Sequence, residues 1–396
     1  MNALRQVSAV MLTSIQTLPR RIGSATVIVI GVVGVVAVLI AVLAMGNGLV
    51  AAVRNIGSDD RAIVLRAGAS AEATSILLRD EVSTILNSQE IQRDANGKAI
   101  ASADTLAAVN LSKAGPVPTE VTVAMRGVSP GLQQVRPEIQ IVKGRLFEPG
   151  KYELIVGQMA TRQYSNLALG GQISLRGTRW TVVGIFSTHG NGRESELLTD
   201  RDTLASVLRR GDFQSVTVRL QSAGAFAAFK ASLAANPTLT VDAMRESEFF
   251  AQQSKDISRL VHVAAYLLGA IMGVGAIFAA VNSMYAAVTA RVQEIAVFRA
   301  IGYGGELIVL SVVAEALFFS LLGSALGIAV VWLLLNGKNL NAGIGGANTQ
   351  LVFDVAVTPA IALTGVVAAA VIGVAGSFFP AMRAARVPVT TALREI

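Results

Sequence analysis

The sequence predicts an α-helical membrane protein with four transmembrane helices and a mixed α/β extracytoplasmic domain. Four long stretches are almost free of charge, since among Asp, Glu, Lys, Arg and His they contain only His262 and Glu315. They lie between Arg21 and Arg54, Arg259 and Arg291, Glu306 and Lys338, and Asp354 and Arg383. Each stretch offers at least the roughly 20 apolar residues that a helix needs to cross a bilayer core. Between the first two stretches lies a long segment in which basic and acidic residues nearly balance, as in a water-soluble domain.

These stretches divide the chain into nine segments. In order, we expect a cytoplasmic N-terminal segment (1–21), a first transmembrane helix (22–53), the extracytoplasmic domain (54–258), a second transmembrane helix (259–290), a cytoplasmic loop (291–305), a third transmembrane helix (306–336), a short extracytoplasmic loop (337–358), a fourth transmembrane helix (359–382) and a cytoplasmic C-terminal tail (383–396).

The orientation follows from the basic residues, because positive charge close to a span is retained on the cytoplasmic side. Such residues precede the first span, separate the second from the third, and follow the fourth: Arg5, Arg20, Arg21, Arg291, Arg299, Arg383, Arg386 and Arg394. Both termini are therefore predicted to be cytoplasmic.

The first span has an alternative interpretation as a cleaved signal peptide, since Val42, Leu43 and Ala44 resemble a small-residue cleavage site. Its apolar stretch, 22–45, is longer than the roughly 7 to 15 residues of a signal peptide's apolar region. We therefore predict a retained helix.

Composition excludes several classes of function. The net charge is +7 and the isoelectric point is near 10.0, but no basic run with interleaved aromatic residues occurs, so a nucleic-acid partner is not expected. The chain has no cysteine, which excludes disulfides and thiolate metal sites.

The extracytoplasmic domain shows strand patterns with turn signals. Residues 172–186 read as two strands joined at Gly177 and Thr178. Residues 215–220 and 239–244 read as strands on either side of a helix at 224–235, which suggests a split βαβ unit. The polar run 87–119 reads as a loop or a poorly ordered insertion.

The cytoplasmic loop carries the most specific signal. Residues 289–305 begin as an amphipathic helix, with Val292, Ile295 and Phe298 on one side, and the helix is predicted to end at Gly302. A helix of this kind either docks on a partner protein or lies on lipid headgroups.

Three separated motifs resemble the MacB/FtsX/LolC family of ABC-transporter permeases. Asn282 is followed by R-x-x-E-I-A-x-x-R-A-I-G at 291–302, and the C-terminal stretch 379–396 has the family's pattern of Pro, Ala and Arg residues. Gly144, Arg145 and Phe147, with the stretch 154–186, are similar to the family's MacB-like periplasmic core domain.

The resemblance implies a permease that works as a homodimer, or with a related permease, together with two copies of a separate ABC ATPase subunit in a bacterial cytoplasmic (inner) membrane. It assigns the ATPase-coupling helix to the loop 291–305, with the residues Arg291, Glu294, Ile295, Phe298, Arg299 and Gly302, and a C-terminal motif to Pro380, Arg383, Pro388 and Arg394. Since no G-x-x-x-x-G-K-[ST] phosphate loop occurs, we expect no cofactor on this chain and no enzymatic activity of its own. ATP and Mg²⁺ belong in the partner ATPase.

The function implied is mechanotransmission: ATP hydrolysis by the partner drives movement of the extracytoplasmic domain. The cargo would be a lipid, lipoprotein, peptide or hydrophobic small molecule, handed to a periplasmic adaptor and an outer-membrane channel. The alternative is an FtsX-like regulator that transports nothing and activates an extracellular cell-wall hydrolase. A four-span sensor bound to a kinase is a third, weaker option.

Few polar residues lie inside the spans. Glu315 is either a polar contact that tunes movement between spans or protomers, or a carboxylate that reaches towards water. His262 is expected at the membrane interface, and His189 has no second metal ligand nearby in sequence. The G-x-x-x-G pairs Gly269/Gly273 and Gly323/Gly327 predict close helix packing.

Overall fold

A computed structural model describes residues 22–54, 56–115, 119–344 and 349–386. The N-terminal segment 1–21 and the motif residues Pro388 and Arg394 lie outside the described residues. The chain divides into two compact units. The membrane unit comprises Met1–Asn47, Arg259–Lys338 and Val355–Ile396, and the outer unit comprises Gly48–Ser258 and Asn339–Asp354.

The described residues form ten α-helices and twelve strands. The helices are α1 (Ile22–Arg54), α2 (Arg79–Leu86), α3 (Leu132–Val135), α4 (Gln158–Gln163), α5 (Arg201–Leu208), α6 (Phe226–Ala234), α7 (Glu246–Thr289), α8 (Val292–Ala300), α9 (Gly305–Leu335) and α10 (Pro359–Ala385). The strands are β1 (Arg61–Arg66), β2 (Ala101–Ser112), β3 (Glu120–Val128), β4 (Gln140–Gly144), β5 (Glu153–Gly157), β6 (Gln172–Leu175), β7 (Thr178–Ser187), β8 (Leu197–Asp200), β9 (Ser215–Arg219), β10 (Val241–Arg245), β11 (Asn339–Ile344) and β12 (Thr349–Asp354).

Four of these helices, α1, α7, α9 and α10, are long and apolar enough to cross a membrane. They cover most of each of the four charge-poor stretches of the sequence, so the predicted membrane-protein class is confirmed. The second is longer than its apolar stretch: α7 has 44 residues and begins at Glu246, so that its first residues belong to the outer unit.

Small residues allow the membrane helices to pack closely. A Cβ atom on Gly323 or Gly327 of α9 would lie about 3 Å from carbonyl oxygens of α1. A Cβ on Gly269 of α7 would contact Leu39, whereas one on Gly273 would meet nothing within 4 Å. The packing role predicted for the α9 pair is therefore confirmed, and in α7 the close contact within this chain involves Gly269.

The outer unit is built on a sheet of ten strands in the order β10-β1-β9-β2-β3-β8-β5-β7-β4, with β6 also paired to β7. Strand β2 joins two lobes, because residues 101–104 pair with β9 and residues 105–112 pair with β3. Each lobe has its own apolar core. The core of the first lobe lies around Val64 and Phe229, and that of the second lobe lies around Trp180 and Val156.

Of the three sequence predictions for segments of the outer unit, two are confirmed and one is wrong in part. The hairpin at 172–186 is confirmed as β6 and β7, and the split βαβ unit is confirmed as β9, α6 and β10, since both strands pair with β1 between them. The prediction of loop over 87–119 is wrong for its second half. Residues 101–112 form β2, whose backbone pairs with β9 and β3. The buried Asp104 carboxylate of this strand accepts hydrogen bonds from the side chains of Ser102, Arg126 and Arg136.

The connection between α9 and α10, expected as a short loop over 337–358, contains the antiparallel hairpin β11–β12. Val352 of this hairpin is fully buried in the core of the second lobe. The Nε2 of Gln163 donates to the Asn339 carbonyl oxygen at 2.9 Å. The hairpin is thus part of the folded outer unit.

Candidate functional site

The coupling-helix motif forms a short helix with a defined end. Helix α8 follows Arg291, and its last turn closes with the Gly302 N–H donating to the Arg299 carbonyl and the Tyr303 N–H donating to the Phe298 carbonyl, both at 3.1 Å. Gly302 has a φ of 100°, a left-handed conformation that favours glycine. This is the glycine stop that the sequence predicts.

Both ends of α8 are bonded to membrane helices. The Arg291 guanidinium donates two hydrogen bonds to the Glu315 carboxylate of α9, at 2.7 and 3.1 Å. The Arg299 guanidinium donates to the Ala385 carbonyl at the end of α10, at 2.9 Å. A two-point guanidinium–carboxylate bond fixes orientation as well as distance. Helix α8 is therefore held to α9 at one end and to α10 at the other.

The side chains of α8 differ in their exposure. Ile295 is buried within the chain, and Phe298 is half-buried and packs edge-on against Tyr303. The exposed residues include Glu294, with Val297 46% and Ile301 70% exposed. Sequence reasoning missed Val297 and Ile301, although their i, i+4 spacing places them on one face.

The C-terminal motif begins on the last turns of α10. Pro380 is buried inside that helix, and the exposed Arg383 guanidinium lies 5.6 Å from the centre of the Tyr285 ring of α7. A cation over an aromatic ring is a favourable contact. The motif therefore supports packing between α10 and α7.

A second cluster, which sequence reasoning did not identify, lies in the outer unit. Four arginines and five carboxylates form a largely buried ion network, which comprises Arg61, Arg126, Arg136, Arg193, Glu72, Asp104, Glu138, Glu196 and Glu246. Its members come from both lobes and from the first residue of α7. Buried charges are costly unless they are paired, and here each has at least one partner of opposite sign.

Arg126 of β3 is the centre of one half of this network. It pairs with Glu72, with Asp104 at 3.2 Å, and with Glu196 through two hydrogen bonds at 2.8 and 3.0 Å. Burial alone would raise the pKa of Glu72, but Arg126, together with Arg193 and the Ser215 hydroxyl, outweighs this effect and lowers the pKa to about 2. Burial also opposes ionisation of Glu196, and Arg126 again lowers its pKa.

Glu246 is the centre of the other half. Its side chain is fully buried and pairs with Arg61 and with Arg193 at 3.0 Å, and Arg136 lies 4.0 Å away. Burial and the neighbouring Arg136 lower the pKa of Arg193. The start of α7 is thus held in the outer unit by several guanidinium groups.

Glycines allow close backbone contacts at two places in the outer unit. A Cβ on Gly57, just after α1, would lie 2.5 Å from backbone atoms of Ser247. A Cβ on Gly48 of α1 would lie 2.3 Å from the Asp354 carbonyl oxygen at the end of the hairpin. Larger residues at either position would force the backbone apart.

The described residues contain no group of three or more His, Asp or Glu side chains that could hold a metal ion. His189 lies in a turn with a φ of 60°, and the His262 ring lies 6.0 Å from that of Tyr266.

The fold and these clusters define a class: a multi-pass membrane protein whose large extracytoplasmic domain is inserted between its first two spans. Two family models match the chain, the MacB-like periplasmic core domain over residues 25–236 and the FtsX-like permease C-terminal domain over residues 266–389. The chain belongs to the MacB/FtsX-like family of ABC transporter permeases, inner-membrane proteins that work with an ATPase subunit.

Solved structures show weaker similarity. The periplasmic region of MacB from Actinobacillus actinomycetemcomitans is 16% identical, with a TM-score of 0.38, over 51% of this chain and 95% of that one. The extracellular domain of the noncanonic ABC-type transporter YknZ from Gram-positive bacteria is 15% identical, with a TM-score of 0.35, over 46% of this chain and 99% of that one. No curated protein matches significantly.

Proposed function

We propose that this chain passes the work of ATP hydrolysis in a separate ATPase subunit to its own extracytoplasmic domain, for export of a lipid, lipoprotein, peptide or hydrophobic small molecule. The observation that carries the proposal is the attachment of α8 at both ends, through Arg291 to Glu315 of α9 and through Arg299 to Ala385 of α10. A force applied to α8 would therefore be applied to two membrane helices at once.

The exposed face of α8 is suited to receive that force. Val297 and Ile301 offer apolar anchors, and Glu294 beside them offers a charge that fixes orientation. Short amphipathic helices bind grooves of partner proteins in this way. We propose that two ATPase subunits dock here, one on each permease of a pair formed with a second copy or a related permease. ATP and Mg²⁺ are bound by those subunits.

The composition of the spans favours transmission of movement through them and disfavours a polar pathway for cargo between them. Glu315 is the only acidic residue in the apolar stretches, and its carboxylate is paired. Cargo would then be engaged by the extracytoplasmic domain, with a periplasmic adaptor and an outer-membrane channel receiving it. The basic residues beside the spans support a cytoplasmic location for both termini.

The test compares aspartate substitutions of equal chemistry on two surfaces. The chain is co-produced with the ATPase subunit of its own genome and extracted in mild detergent. Val297→Asp and Ile301→Asp should insert normally but copurify with at least about tenfold less ATPase, because truncating or charging a docking anchor removes much of the binding energy. Ile76→Asp, at a residue 53% exposed in the outer unit, is the matched control and should retain the ATPase.

The outcomes separate the possibilities. Full ATPase association in both α8 variants, or ATP hydrolysis by the purified chain alone, would refute the proposal. An adaptor that copurifies with the wild-type complex supports export, whereas a cell-wall hydrolase in that position supports the FtsX-like regulator.

A further inference from the structure

One short segment of the outer unit is bonded in two directions. This segment, the 3-10 turn Gly192–Ser195, is here called the central turn. On one side Arg193 donates to the Glu246 carboxylate at the first residue of α7, at 3.0 Å. On the other side the Ser195 hydroxyl accepts the Val352 N–H of the β11–β12 hairpin at 2.8 Å. The central turn therefore contacts the chain that enters the second span and the chain that links the third to the fourth.

The central turn is held rigidly. The Glu194 carboxylate accepts hydrogen bonds from the Ser187 hydroxyl and from the Thr188 and Gly190 amides at 2.6–3.0 Å. A Cβ on Gly157, at the end of β5, would lie 2.1 Å from the Glu194 carbonyl oxygen, so the turn and that strand are in direct contact. A rigid segment transmits displacement because it has few internal degrees of freedom to absorb it.

The central turn leads along the chain into strand β8. Only Glu196 separates them, and β8 lies between β3 and β5 in the second lobe. Glu196 itself is bonded to Arg126 of β3 through two hydrogen bonds, and its carbonyl accepts the Gly157 N–H of β5. A displacement of the turn is thus applied directly to three adjacent strands.

We infer that the central turn is the relay through which displacements of α7 and of the β11–β12 hairpin reach the sheet of the outer unit. Arg193 and Ser195 are positioning residues in this relay. The inference rests on the proposed function, since it supposes that ATP-driven movement reaches α7 and the hairpin.

Arg193 has a second partner that suits it to this role. Its Nη1 lies 3.9 Å from the Glu196 carboxylate while its Nη2 is bonded to Glu246. A shift of α7 would move Glu246 and therefore change the distances from the Arg193 guanidinium to the Glu246 and Glu196 carboxylates. Movement of α7 is thereby transmitted to Glu196, the residue that precedes β8.

The experiment measures amide hydrogen exchange on the chain assembled with its ATPase in lipid nanodiscs, without nucleotide and after trapping with ATP and vanadate. In the wild type, nucleotide should change exchange in α8, in residues 192–200 and in the hairpin. Ser195→Ala leaves the Val352 amide without its partner. The nucleotide-dependent change in β8 should then fall at least about fivefold, while the change in α8 persists. Arg193→Lys keeps the positive charge, but a single ammonium group cannot face the Glu196 and Glu246 carboxylates as the two guanidinium nitrogens do. This variant should also reduce the nucleotide-dependent change in β8.

The matched control is Thr105→Val, at a fully buried residue of β2. Its hydroxyl donates to the Asp212 carbonyl at 3.2 Å, so the variant removes a side-chain hydrogen bond of the outer unit that is not one of the bonds of the relay. It should keep the full response in β8. Equal loss in Thr105→Val, or an unchanged β8 response in both Ser195→Ala and Arg193→Lys, would overturn the relay. Absence of any response in α8 of the wild type would overturn the proposed function, and the relay with it.

Discussion

Glu315 shows how one residue can connect the cytoplasmic helix to a span. A carboxylate among apolar residues needs a partner, since burying an unpaired charge is costly. The structure supplies Arg291 of the same chain, and the two side chains are only 16% and 12% exposed. The pairing joins the residue that precedes α8 to the interior of α9. Its sequence signal was the isolated charge, but the partner lies 24 residues away and could not be chosen from several arginines.

A double-mutant cycle tests this pair. Glu315→Gln and Arg291→Gln should each lower the thermal stability of the detergent-solubilised chain, because each leaves a poorly compensated group. The double variant should lose less than the sum, with a coupling free energy of about 1–3 kcal/mol. Glu306→Gln, at an exposed glutamate in the first turn of α9, is the control and should be near neutral. Strict additivity would show that the two side chains do not stabilise each other.

At the scale of elements, the sequence predicts the transmembrane helices best, because the surrounding lipid determines their composition. The spans were recognisable because lipid demands a continuous apolar helix, so a local pattern suffices. Strand β2 was missed because most of its residues are either small or polar, and its pairing with β3 and β9 is set by distant segments. The ion network was missed for the same reason: Arg126 and Glu72 are 54 residues apart, and Arg61 and Glu246 are 185 apart. A local signal does exist, since Arg126 interrupts the otherwise apolar stretch 123–128 of β3.

The network makes the stability of the outer unit depend on pH, with a loss of stability in acid. The pKa of Glu72 is about 2 when folded and near 4.5 when exposed, so the unfolded chain binds more protons between these values. Its stabilising contribution is complete above about pH 4.5 and is lost as the pH falls towards 2. Denaturant unfolding followed by Trp180 fluorescence, in a Trp332→Phe background, should show this loss. Glu72→Gln should flatten the dependence, and Glu120→Gln, at an exposed residue of β3, should not. A wild-type stability that is constant over this range would contradict the network's ionisation.

At the scale of the whole molecule, the balance of charge determines which side of the membrane each segment occupies. The family places the α/β domain outside the cytoplasm, and the excess of arginines beside the spans predicts that α8 and both termini lie inside. This arrangement is what the proposed function needs, because α8 must meet an ATPase and the outer unit must meet cargo or a partner.

The absence of cysteine makes this topology directly testable. A single cysteine at Asn96, in an exposed turn of the outer unit, should react with a membrane-impermeant maleimide on intact spheroplasts. A single cysteine at Gly304, exposed between α8 and α9, should react only after the membrane is permeabilised. Four spans require opposite sides for these two positions, because one span separates the segments that hold them. Labelling of both positions from outside would exclude the four-span topology, and with it the docking of a cytoplasmic ATPase on α8.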